Sequence, residues 1–166
     1  MESRWAESRG LRDANLPMRT LLIACGNPLR RDDGAASEAL RHLAQAPNRV
    51  LRSVRQLTPE LAEEAARFDR VVFLDADAGA ARVTIEHLGP GFGRGASLPR
   101  SPLTHFATPA EIVALSRGLF GFAGEALLCR IPARDFSLSA NPGGADLSAN
   151  TLRFARQAAA ELENLP

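Results

Sequence analysis

Three loops of this chain carry side chains that could do chemistry together. The stretch "ACGNPLRRDDGAAS", residues 24 to 37, runs from an apolar segment into Gly26, Asn27, two arginines, the adjacent Asp32 and Asp33, and Gly34. Neighbouring carboxylates repel, so both stay charged only where a cation or a helix amino terminus offsets the repulsion. A second apolar run, "RVVFLDA", ends on Asp75, with Asp77 two residues further on. A third loop carries His105 just before a helix signal. Two carboxylates and an imidazole form a common donor set for a borderline divalent metal. Each also has a plainer reading: Asp33 as the cap of the following helix, Asp75 as a solvated loop carboxylate, His105 as a turn residue. Gly26 and Gly34 mark points where the backbone needs positive φ or close approach, or are ordinary turn glycines. Only convergence in space gives the set force.

The elements that must position these residues alternate along the chain. "TLLIAC" (20–25) and "RVVFLDA" (70–76) are continuous apolar runs of strand length, the pattern of strands covered on both faces. "RVLRSVRQL" alternates as a strand nearer an edge does, and "RVTIEHL" as an edge or antiparallel strand. "EALLCRIP" is the last strand. Helical spacing places Ala36, Ala39, Leu40 and Leu43 on one face. "TPELAEEAARF" reads as a helix with Thr58 as N-cap and Pro59 at its first position. Thr108 and Glu111 form a capping box for a helix that stops near Gly118 or Gly121. "SANTLRFARQAAAELENL" is the terminal helix. Strands alternating with helices predict one three-layer α/β/α domain with a mostly parallel twisted sheet. In such a sheet ligands bind beyond the carboxyl ends of the strands, which would gather the three loops at one rim.

Composition narrows the rest. Among 166 residues 45% are hydrophobic and 23% charged, with a formal net charge of +1. That balance offers no broad attraction to nucleic acid or to a membrane surface. No run approaches the ~18 apolar residues of a membrane span. Every basic side chain is arginine, which removes any mechanism that needs lysine, including that of a phosphoryl-accepting receiver domain. Cys25 and Cys129 share no metal-ligand spacing and read as buried, reduced thiols. Residues 1–17 are polar, lack the apolar core of a secretory signal and read as a flexible extension before a single domain over 18–166. There is no Gly-x-Ser-x-Gly elbow and no His-Glu-x-x-His, so serine-hydrolase and resident-zinc mechanisms are not indicated.

"GNPLRRDDG" after an apolar strand resembles the signature loop of the hydrogenase maturation endopeptidases. Three further segments match in order: "QLTPELAEEAARFDRVVFLDA", "THFATPAEIVALSRGLFG" and "DFSLSANPGGADLSANTLRFA". The likeness covers residues 18 to 160. It implies a peptidase that removes the C-terminal peptide of a [NiFe] hydrogenase large-subunit precursor once nickel is inserted. Carried over residue by residue, nickel borne by the substrate is contacted by Asp33, Asp75 and His105. Asp33 and Asp75 are then the catalytic candidates, with Gly26, Asn27, Asp32 and Gly34 supporting the site or touching substrate. Two schemes fit: the metal polarises the scissile carbonyl or a bound water, or an aspartate acts as general base while the metal positions substrate. The resemblance further implies no organic cofactor and a protein partner; the default expectation is a monomer in a transient complex, and the lack of a targeting signal in the sequence suggests the cytoplasm. The alternative from another class is a non-catalytic homologue that binds metal or a maturation partner. The chain departs from the pattern at Ala35 and Ala36, which leaves the start of the first helix open, and Asp77 is a rival ligand to Asp75.

Overall fold

The computed structural model of the protein describes residues 17–89, 107–140 and 146–166. Four strands are parallel: β1 (Thr20–Cys25), β2 (Arg49–Val54), β3 (Arg70–Asp77) and β5 (Glu125–Pro132). The fifth, β4 (Thr84–His87), runs antiparallel to β5 at one edge, and the sheet order is β2-β1-β3-β5-β4. The two alternating segments thus occupy the two edges, and the apolar runs the centre. Burial on both faces is what made the central strands continuously hydrophobic.

Four helices cover the faces in pairs. α1 (Ala35–Arg41) and α4 (Ala149–Glu163) pack together on one face, over Leu22, Ala24, Val72, Leu74 and Cys129. α2 (Leu61–Ala65) and α3 (Pro109–Phe120) pack on the other, over Leu21, Ile23, Val71, Phe73 and Leu128. The result is the three-layer α/β/α arrangement expected from the alternation of elements. Among the described residues no helix is long and apolar enough to cross a membrane.

Two local expectations change. The Thr58 cap is absent: α2 begins only at Leu61, and its side-chain cap is missing. Tight i→i+3 bonds from Leu61 N–H to Thr58 and from Ala62 N–H to Pro59 lead into it instead. The Thr58 side chain hydrogen-bonds the Glu60 carboxylate, which that bond holds below its ordinary range. β3 runs on past Asp75 to Asp77, which pairs in register with Pro132 of β5.

α3 follows its expected punctuation. The Thr108 hydroxyl accepts from the Glu111 N–H at 3.2 Å, the Glu111 carboxylate accepts from the Thr108 N–H at 2.7 Å, and Gly121 (φ 64°) closes the helix in the left-handed region. A cavity of about 230 Å³ between α4 and the sheet is lined by Met18, Thr20, Asn48, Arg70 and Leu162. It lies at the amino ends of the strands, opposite the edge where the carboxylates gather, so it is not the site.

Thr108→Ala removes the box from an otherwise solvent-accessible helix start. It should lower unfolding free energy by about 1 kcal/mol, measured by urea denaturation at neutral pH.

Candidate functional site

The loop after β1 begins with a close approach. A Cβ at Gly26 would stand 2.0 Å from the Asp33 carbonyl oxygen, so only glycine lets the chain turn back on itself there. Gly34 carries no such demand, since a Cβ there would make ordinary contact with Pro28 at 3.5 Å. The Asn27 side chain accepts from the Leu29 N–H at 3.0 Å, a local turn that holds the loop. Its backbone N–H donates to Asp33 Oδ2 at 2.8 Å. Asp33 is therefore aimed back at the strand end and does not cap α1, whose N-cap is Gly34 without a side-chain bond. The segment Arg31–Gly34 forms a 3₁₀ turn that leads into α1, with Arg31 itself at φ 35°.

The two adjacent aspartates part company. Asp32 is fully buried. Its Oδ1 accepts from the Ser148 N–H at 2.7 Å. Its Oδ2 accepts from the N–H groups of Arg134 (3.1 Å) and Asp135 (3.0 Å) and from the hydroxyls of Ser148 (3.0 Å) and Thr151 (2.9 Å). Burial alone would push this carboxyl up, but the N–H donors of Ser148, Asp135 and Arg134 and the Thr151 hydroxyl outweigh it and hold the group below the ordinary carboxylate range. Asp32 needs no metal cation: its charge is satisfied by backbone dipoles at the α4 amino terminus and the loop after β5. Arg30 and Arg31 serve the same junction. Arg31 pairs with Asp135 at 2.5 Å and with Asp146 at 3.4 Å, and Arg30 Nε donates to the Phe136 carbonyl at 3.1 Å.

Asp75 and Cys25 are register partners on β3 and β1, and both lie on the α2–α3 side of the sheet by alternation with Phe73 and Ile23. Asp75 is pushed up to about 6, by dehydration among its neighbours and then by the Asp33 charge, with Asp77 adding to it. The residue as a whole faces solvent, which limits what dehydration contributes. The Asp33 charge is the cause specific to this site. The same two carboxylates act on the thiol between them: burial, then Asp75, then Asp33 push Cys25 up to about 11. Asp33 and Asp75 thus act on one another at the carboxyl rim, and the Arg130 charge and the Ala76 N–H only partly offset the repulsion on Asp75. Asp77 does not join them, because Arg130 (3.1 Å) and the Gly79 N–H (2.7 Å) occupy its two oxygens.

His105 lies outside the described residues, so its meeting with the pair is not part of the observed geometry. Ala107, two residues later in sequence, donates its N–H to the Leu57 carbonyl at 3.2 Å, and Leu57 in turn bonds the Cys25 thiol. That anchors the chain entering α3 beside the Asp75 strand end. Among the described residues no three His, Cys, Asp or Glu side chains are grouped to hold a metal ion. The sequence reading did not anticipate Ser148 and Thr151, whose hydroxyls fix Asp32. The serine before a helical run was a visible N-cap signal, but its partner 116 residues away was not.

The chain has the fold of the hydrogenase maturation proteases. No family model and no curated protein sequence matches it. The [NiFe] hydrogenase maturation protease HycI from Thermococcus kodakarensis KOD1 superposes with a TM-score of 0.62 at 17% identity, over 87% of this chain and 90% of that one. The hydrogenase maturating endopeptidase HybD from E. coli gives 0.63 at 15% identity with the same coverage. HybD from Thermococcus kodakarensis gives 0.58 at 22% identity, over 88% of this chain and 97% of its own.

Two opposite pH responses follow from the two aspartates. Asp32, held low, adds stability that is complete above its unfolded value of 3.8 and is lost as pH falls through its folded value. Asp32→Ala also strands buried N–H donors and should cost about 3 kcal/mol at pH 7. Asp75 is held high, so the native state binds the proton more tightly and stability falls as pH rises from 3.8 to about 6. Asp75→Asn should therefore raise stability at pH 7 by about 1 kcal/mol, after allowance for solvent screening, and leave it unchanged at pH 3.5. Thermal denaturation of both variants across that range checks the signs.

Proposed function

We propose that this chain is an endopeptidase that removes the C-terminal peptide of a [NiFe] hydrogenase large-subunit precursor after nickel insertion. The observation that carries the reading is the carboxylate pair, Asp33 with Asp75, only partly offset by Arg130, at the carboxyl rim of a maturation-protease fold. A carboxylate whose proton affinity is raised by burial and a neighbouring carboxylate, as at Asp75, makes a site that gains from a divalent cation. Asp33, Asp75 and His105 contact the nickel carried by the precursor, and no organic cofactor takes part. The nickel belongs to the substrate and supplies recognition and local positive charge.

The chain's own groups divide the remaining work. The Asn27 N–H fixes Asp33 as a preset anionic contact, and Gly26 allows the loop to pass close enough for it. Asp75, whose proton affinity burial and the Asp33 charge raise in the free protein, is the candidate to take a proton from an attacking water. Asp32 stays out of the reaction and holds the loop to α4. The protein works as a monomer in a transient complex with its precursor in the cytoplasm.

A processing assay tests this. Nickel-loaded precursor incubated with the wild type should lose its C-terminal peptide. Asp33→Asn, Asp75→Asn and His105→Ala should each lower the cleavage rate by at least about 100-fold, the scale on which one general base or charge contact contributes. Cleavage that persists in all three variants rejects the site. Tight binding by the wild type with no cleavage assigns the chain to the non-catalytic role.

A further inference from the structure

Arg55 follows the end of β2 at the same rim, and its guanidinium has no hydrogen bond or ion pair among the described residues. The arginines around it are engaged. Arg52, one turn of strand earlier, pairs with Glu64 at 2.8 Å; Arg31 pairs with Asp135 and Asp146; Arg130 pairs with Asp77. Arg55 is exposed, but its backbone is held in place. Its carbonyl lies 3.9 Å from the Cys25 sulfur, and Leu57, two residues on, accepts the Ala107 N–H. The guanidinium is therefore carried on a fixed backbone two strands from Asp75, whose partial offset comes from Arg130.

The register sets the spacing. Val54, Cys25 and Asp75 are consecutive partners across β2, β1 and β3. Adjacent strands lie about 4.8 Å apart, so the backbone ends of β2 and β3 are separated by about 10 Å. An extended peptide covers that distance in about three residues. The rim thus presents two poles of opposite sign, one facing a cation and one facing an anion, at peptide spacing.

We propose that Arg55 is a specificity determinant that binds a carboxylate of the polypeptide substrate within about three residues of the group facing Asp33 and Asp75. A planar guanidinium with five donors suits a carboxylate better than a point charge does. This inference rests on the peptidase reading above. The carboxylate has two sources: an acidic side chain beside the cleavage site, or the terminal carboxylate of the precursor.

Steady-state processing of nickel-loaded precursor by Arg55→Ala, Arg55→Lys and, as a charge-matched control distant from the rim, Arg156→Ala tests it. Arg55→Ala should raise KM about tenfold with kcat within twofold of wild type, Arg55→Lys should recover part of the loss, and Arg156→Ala should match wild type. Precursors in which the acidic residues near the cleavage site are replaced by their amides, or in which the C-terminus is amidated, identify the source. The one whose change abolishes the difference between wild type and Arg55→Ala carries the carboxylate. An unchanged KM in Arg55→Ala, an equal rise in Arg156→Ala, or a difference that survives both precursor changes overturns the proposal. If the wild type cleaves nothing, the peptidase reading fails separately, and calorimetric affinity for the same precursor decides Arg55. A tenfold weaker affinity for Arg55→Ala supports its role; equal affinity, or no binding by wild type, overturns it.

Discussion

Asp32 is the constraint on which the rim depends. A carboxylate without solvent exposure is tolerated only when its lone pairs are filled, and here both oxygens are filled from a distant part of the chain. Those bonds join the loop after β1 to the loop after β5 and to the start of α4. The Asp32 N–H donates back to the Asp135 carbonyl at 2.9 Å, and the Ser139 N–H to the Leu29 carbonyl at 2.8 Å. Arg30 and Arg31 reinforce the same seam. Beside this junction Asp33 turns the other way, accepting from the Asn27 N–H, and its charge acts on Asp75.

The contrast between the adjacent aspartates shows how environment, not residue type, assigns roles. Asp32 meets convergent N–H donors and is held charged at low cost. Asp33 meets one backbone N–H and another carboxylate, and the repulsion is expressed on Asp75. Of these two arrangements, one stabilises the fold and the other leaves charge available for a ligand. A site built to receive a cation from outside has this second character: favourable with the partner, strained without it.

The rim also shows how the sheet collects functional groups. Val54, Cys25 and Asp75 are register partners on three neighbouring parallel strands, so the groups they carry start within about two strand spacings of each other. Ala107, held to Leu57, brings the chain entering α3 to the same place. The 3₁₀ turn at Arg31–Gly34 and the late start of α2 are departures from regular helix geometry at this rim. At the same rim α3 and α4 begin with ordinary side-chain caps, Thr108 and Ser148.

Much of this was legible in the order of residues. Periodicity distinguished central from edge strands, because burial on both faces demands unbroken apolar runs such as Thr20–Cys25 and exposure on one demands alternation, as in Thr84–His87. Local chemistry announced the Thr108–Glu111 box, since both partners lie within one helical turn. The acidic loop and the aspartate ending the third apolar run marked the rim through topology alone. Tertiary structure decided what no local pattern holds. It separated Asp32 from Asp33 by supplying Ser148 and Thr151 from across the fold. It withdrew Asp77 into a pair with Arg130, relieved Gly34 of any special demand, and left Arg55 without a counterion among the described residues. The outcomes for Asp32 and Asp77 depend on groups more than 50 residues apart. Contacts of that range are fixed by packing, and a linear pattern does not encode them position by position.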